Sequence, residues 1–167
     1  MSHQYFLGAD IGTTAIKAAL FDEQGRKVLH HAQEYTLLKP DAQRVEQIPH
    51  VYWETFQACV KKVVQDSKID PEQIKAFSMD SSAETIVFLD EKMEPLDNFY
   101  VWLDSRASIE AEEINHHFTA EEILHATGQT PIDPCYPAAK IAWFRKHKPE
   151  AFRKIRMMFM CDDYILW

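Results

Sequence analysis

An α/β layered domain is what this sequence predicts. Three observations lead there: strand-length apolar runs crowd its beginning, a helix-period stripe follows them, and helix-like and strand-like segments then alternate. Residues 5–11 (YFLGADI) and 15–21 (AIKAALF) are nearly continuous apolar runs separated only by GTT, which predicts a tight antiparallel hairpin. Gly25 in DEQG supplies the next turn, and KVLHHAQEY makes a third strand of the meander, although its alternation is poor. Pro49 suits a first helical position. Tyr52, Phe56, Cys59, Val60 and Val63 then recur at helical spacing, predicting a helix as far as Ser67. IKAFSMD and TIVFLD predict two further strands around the polar link SSAE, and EKMEP makes a turn after them.

Helices dominate thereafter. Ala107, Ala111, Ile114 and Phe118 form one stripe, and TAEE at 119–122 is a capping box for a helix that stops near Gly128. AAKIAWFRKH reads as another helix, Pro149 opens a short one, RMMFMC reads as a buried strand, and DDYILW as the capped start of a helix. Without repeat, linker or low-complexity stretch, the 167 residues are expected to form one domain with a real core.

Charge and cysteine usage narrow the function classes. A net charge of −8 opposes general binding of nucleic acid or anionic membrane, which needs Lys and Arg in excess, while leaving local anion sites open. Cys59, Cys135 and Cys161 are odd in number and far apart, so neither a disulfide framework nor a zinc site is predicted, and a reducing cytoplasm fits. The stretch MSHQYFLGAD lacks the pattern of a secretion signal, and no apolar run approaches membrane-spanning length.

The polar knot in GADIGTTAIKAALFD carries the first chemistry. Where a hairpin turns through Gly12, the missing side chain lets backbone N–H groups approach an anion, and the Thr13 and Thr14 hydroxyls add donors. Phosphate is the expected guest, Asp10 is placed to hold a hydrated magnesium ion, and Lys17 adds a point charge. The plain alternative is a hairpin whose Gly and Thr merely form the turn.

This stretch resembles the first phosphate-binding segment of the sugar kinase, Hsp70 and actin superfamily. RVEQIPHVYWETF, YVWLDSRA, TGQTPIDPCYPAAKIAWFRKHKPEAF and CDDYILW then resemble, in order, segments of the FGGY carbohydrate kinases. The resemblance implies a ribonuclease H-like (actin-like ATPase) domain, a mixed sheet whose N-terminal antiparallel three-strand meander is flanked by helices. It also implies transfer of the ATP γ-phosphoryl group to a hydroxyl of a sugar, polyol or sugar acid. Asp10 would organise Mg2+, Gly12, Thr13 and Thr14 would contact the phosphates of ATP, and Lys17 stands where many relatives carry an arginine. Lys lacks the arginine fork.

For the small-molecule acceptor, the resemblance implies a pocket lined from SSAET and a VWLDSRA strand. Glu84 matches a residue that bonds polyol hydroxyls in glycerol kinases, Ala83 replaces the arginine before it, and the xylulokinase-like histidine is absent because Glu84 occupies its place. Trp102 would wall the C–H face of a sugar, Asp104 and Arg106 would bind hydroxyls or hold each other, and Cys135 and Tyr136 lie where relatives bring another aromatic inward. Each has a plain counterpart: a core tryptophan, a structural ion pair, a cap at Glu84. The His30–His31 and His116–His117 pairs lack a third ligand, FRKHK reads as a solvated helix end, and Met157, Met158 and Met160 as core filling.

The family's proton-accepting aspartate belongs to a downstream glycine-rich segment. Residues 1–167 therefore correspond to part of the N-terminal, sugar-binding domain, without the C-terminal domain, and are expected to be inactive alone. Two other classes stay open: a chaperone-like or regulatory ATP-binding module, and a catalytically dead fragment that binds a partner. Apolar residues exposed by the missing half would favour a homodimer.

Overall fold

The computed structural model describes residues 3–167; Met1 and Ser2, which open the stretch read above for a secretion signal, lie outside the described residues. Alternation along the first two strands sets the fold. In β1 (Tyr5–Ile11) Leu7, Ala9 and Ile11 are buried, and in β2 (Ala15–Asp22) Ile16, Ala18 and Leu20 are buried. The strands pair antiparallel with Ile11 opposite Ile16, so these residues share one covered face. β3 (Lys27–Glu34) adds to β2 through a turn in which Gly25 takes φ 74° and the Asp22 carboxylate accepts the Gln24 and Arg26 amides.

The long helix α1 (Pro49–Ser67) has proline at its start, and Tyr52, Cys59 and Val63 are buried where it packs against β2 and β3. β5 (Ile74–Ser81) runs parallel to β1, which makes the sheet mixed, in the order β3-β2-β1-β5. The short α6 (Cys161–Leu166) packs on β5 and α1. This is the predicted meander with its helix.

The chain divides into two compact units, residues 1–36, 48–82 and 161–167 in one, residues 37–47 and 83–160 in the other. The second unit has its own sheet, order β4-β7-β6-β8, built from β4 (Glu46–Gln47), β6 (Ile86–Leu89), β7 (Phe99–Tyr100) and β8 (Met157–Met160), all antiparallel. The two runs IKAFSMD and TIVFLD thus belong to different sheets.

The helices of this second unit follow the sequence closely. α2 (Ser108–His117) packs on α4 (Pro137–His147), burying Ala107, Ala111 and Ala139 together. α3 (Ala120–Thr127) starts with the predicted capping box of Thr119 and Glu122 and ends at Gly128 with φ 72°. α5 (Pro149–Phe152) is one turn long. Ile86, Phe88, Tyr100 and Phe144 form the core, with Met158 and Met160 packed on it. β8 was expected to be buried; instead Met157 is exposed and the rest are half-covered, as befits a strand at the edge of its sheet.

Candidate functional site

In the first unit the chemistry gathers at the β1–β2 tip. Asp10 and Lys17 are register partners, so both side chains stand on the face opposite Ile11 and Ile16. Lys17 Nζ donates to Asp10 Oδ2 at 2.8 Å. On the other side of β1, Asp80 of β5 is the register partner of Asp10. Lys17, Asp10 and Asp80 therefore form a row across three strands. The hydrogen bond to Asp10, then its charge, with Asp80 adding to them, raise the Lys17 ammonium above its usual range.

Gly12 corrects the expectation about its amide. Its N–H donates to the Ala15 carbonyl at 3.1 Å and closes the turn rather than facing an anion. A Cβ at this position would stand 3.0 Å from the same carbonyl oxygen, so the turn needs glycine on steric grounds. The tip is further held by Tyr35, whose N–H donates to the Thr14 carbonyl at 3.0 Å and whose hydroxyl donates to the Gly12 carbonyl. Burial pushes the Tyr35 hydroxyl up, keeping it a donor, and its ring packs edge-on against Tyr52 at 5.3 Å. Thr14 is exposed and Thr13 half-buried at the same tip. Among the described residues no group of three His, Cys, Asp or Glu forms a metal centre. The neighbouring carboxylates of Asp10 and Asp80 still suit magnesium, which commonly takes one or two carboxylates and completes its shell with water and phosphate.

In the second unit a buried cation that no motif marks, Lys140, lies among the residues expected to bind the acceptor. Glu84 has φ 61°, the left-handed region, and its carbonyl accepts from Lys140 Nζ at 2.6 Å. The same ammonium donates to the carbonyls of Val101 at 3.1 Å and Tyr100 at 3.4 Å, with no part of Lys140 exposed. Burial lowers the Lys140 pKa to about 8 against the opposing charges of Asp104, Cys135 and Glu84, while Arg106 lowers it further. The Trp102 amide donates to the buried Thr85 hydroxyl at 3.2 Å, and Trp102 is 42% exposed.

Trp102 to Arg106 lie in turns after β7 and not in the strand expected for VWLDSRA. Asp104 is fully engaged: Oδ1 accepts from the Arg106 amide and Nε, Oδ2 from the Val45 amide and Arg106 Nη2. Arg106 Nη2 also donates to Glu46 Oε1 at 2.6 Å, and its guanidinium lies 3.9 Å from the Tyr100 ring centroid. Although burial opposes it, hydrogen bonds to Asp104 and Glu46 keep Arg106 charged. Asp104 and Arg106 thus hold each other, and with Glu46 fix the loop that carries Trp102.

Beside that loop runs a cleft lined by Trp102, Ser105, Thr130, Asp133, Cys135 and Tyr136. Tyr136 caps α4, with its hydroxyl 3.2 Å from that of Thr130. Burial, then Asp133, raises the Cys135 thiol to about 11, with the Glu84 charge adding to it. One signal could have revealed Lys140: it shares a helix stripe with buried Phe144, four residues on. Glu46, Asp80 and Tyr35 carried no comparable mark.

The mixed β3-β2-β1-β5 sheet, with its antiparallel meander, is that of the actin-like, ribonuclease H-type ATPase fold. Gluconate kinase from Lactobacillus acidophilus superposes with a TM-score of 0.91 at 28% identity, covering 99% of this chain and 33% of that one. Residues 5–167 match the N-terminal domain of the FGGY family of carbohydrate kinases, and the chain belongs to that family. It is 35% identical over 162 residues to a gluconokinase of Bacillus subtilis, covering 96% of this chain and 31% of the relative. A glycerol kinase of Marinomonas is 32% identical over 172 residues, with 100% and 34% covered. The chain spans about a third of the length of these relatives.

Proposed function

We propose that the polypeptide carrying this chain is an ATP-dependent carbohydrate kinase, transferring the γ-phosphoryl group to a hydroxyl of a sugar, polyol or sugar acid. The family match over residues 5–167 carries this reading. At the β1–β2 tip, Thr13, Thr14 and Lys17 would donate to phosphate oxygens, with Gly12 shaping the turn. Asp10 and Asp80 would hold Mg2+, which when bound offsets charge on the phosphates. Catalysis of this kind is mainly positioning and charge stabilisation.

On the acceptor side, the Glu84 carboxylate would accept from adjacent hydroxyls, Trp102 would cover an apolar sugar face, and Tyr136 would bound the cleft. Asp104 and Arg106 would act by fixing the Trp102 loop. Free Cys59, Cys135 and Cys161 suit a cytoplasmic enzyme, and the net charge of −8 runs against nucleic-acid or membrane partners. Among the described residues no helix is long and apolar enough to cross a membrane.

The test uses the full-length polypeptide with ATP, Mg2+ and a panel holding gluconate, xylulose, glycerol and other polyols. Gluconate comes first, since the chain is similar to a gluconokinase in sequence and to a gluconate kinase in structure. ADP release that depends on one acceptor is the expected result; ADP release indifferent to every acceptor would sink the reading. Because the match is to the N-terminal domain, the 167 residues alone are expected to transfer no phosphate.

A further inference from the structure

Lysine rarely lies wholly inside a protein, because desolvating its ammonium is unfavourable unless polar groups replace water. Lys140 is 0% exposed, and its Nζ atom meets backbone carbonyls of Glu84, Tyr100 and Val101. All its described acceptors are main-chain atoms, so the ammonium fixes where the backbone runs. The shortest contact, 2.6 Å, goes to Glu84, a non-glycine residue held at φ 61°. Such a conformation persists only when its surroundings enforce it. The Val101 contact comes immediately before Trp102, whose own amide reaches Thr85, the residue after Glu84.

We propose that Lys140 is a positioning residue for the acceptor: by bonding the Glu84 and Val101 carbonyls, it holds the Glu84 turn and the start of the Trp102 loop in register with each other. Helix α4 delivers it, and Phe144, four residues on, anchors the same helix in this unit's core. Lys140 touches no substrate in this arrangement. It acts through Glu84 and Trp102, and so bears on acceptor affinity and alignment and not on the nucleotide. The inference rests on the reading of Glu84 as an acceptor ligand.

The experiment measures steady-state kinetics of the full-length polypeptide with its best acceptor, for wild type, Glu84→Gln, Lys140→Met and the double variant. Lys140→Met keeps length and volume while removing the charge; Lys140→Gln, which keeps a donor, replaces it should that protein not fold. The expected result is a rise of about tenfold or more in acceptor KM for Lys140→Met, with the ATP KM unchanged within about twofold. The double variant should be little worse than Glu84→Gln, because both act through one contact set. If Glu84→Gln leaves acceptor KM unchanged, the acceptor reading of Glu84 falls. If Glu84→Gln raises it while folded Lys140 variants behave as wild type, the positioning role alone is overturned. Equal increases in both KM values would overturn it too, since they report general loosening.

Discussion

Arg106 grips Asp104 with two parallel hydrogen bonds, Nε to Oδ1 at 2.8 Å and Nη2 to Oδ2 at 2.7 Å, with both side chains buried. Such a fork matches a carboxylate as a lysine cannot. Removing the guanidinium would strand two buried carboxylates, Asp104 and Glu46. Arg106→Met should therefore lower the unfolding free energy by about 3–5 kcal/mol in urea titration. Arg106→Lys should lose less but still unfold earlier. An unchanged midpoint for Arg106→Met would show that the network holds nothing in place.

Gly12→Ala tests the steric reading of the β1–β2 tip. The added methyl group would stand 3.0 Å from the Ala15 carbonyl oxygen, a backbone atom already held by the Gly12 amide. Relief requires the turn to open, at about 1–2 kcal/mol. Differential scanning calorimetry should show a lower Tm, and the ATP KM should rise with it. A wild-type Tm would mean that the tip has slack.

Asp10→Asn separates chemistry from stability. The Lys17–Asp10 pair is open to water, with side chains 61% and 41% exposed, so its loss should barely move the Tm. Acceptor-dependent ADP release should nevertheless fall by about a hundredfold or more if Asp10 helps to hold the charge that offsets the phosphates. Retained turnover at saturating Mg2+ would remove Asp10 from the donor site.

Lys140 makes a pH prediction. Burial brings its folded pKa to about 8, below the 10.5 of a lysine in water. Between those values the unfolded chain binds a proton that the folded chain does not, so this group makes stability rise with pH. Burial therefore disfavours folding below about pH 8, and the penalty fades on approach to the unfolded value. Relative to Lys140→Met, wild type should gain stability across that window by about 3 kcal/mol in paired urea titrations. A constant difference would place the ammonium in water.

The sequence declared the elements well for physical reasons that particular residues show. Pro49 and the Tyr52–Cys59–Val63 spacing located α1, and Thr119 with Glu122 located α3, because caps and periodicity are local. The two-residue strands β4 and β7 could not be foreseen: their pairing is long-range, Glu46 against Tyr100. The division into two units was hidden for the same reason, since nothing in SSAE marks a crossing. At the candidate site, residue types were legible but their bonding was not. Gly12 was marked as special, yet its amide turned inward, and Lys140 looked like any helix lysine until its surroundings were known.

The chain passes between the two units four times, at 36/37, 47/48, 82/83 and 160/161. The second unit gains its edge strand only with Met157–Met160, and the first receives α6 only after that. During synthesis neither unit can finish until those residues have cleared the ribosome, so an early meander must wait, incompletely clothed, for nearly the whole stretch to emerge. Dividing the gene at any one crossing would likewise split the first unit between two products, and swapping either unit between relatives needs a junction at all four crossings.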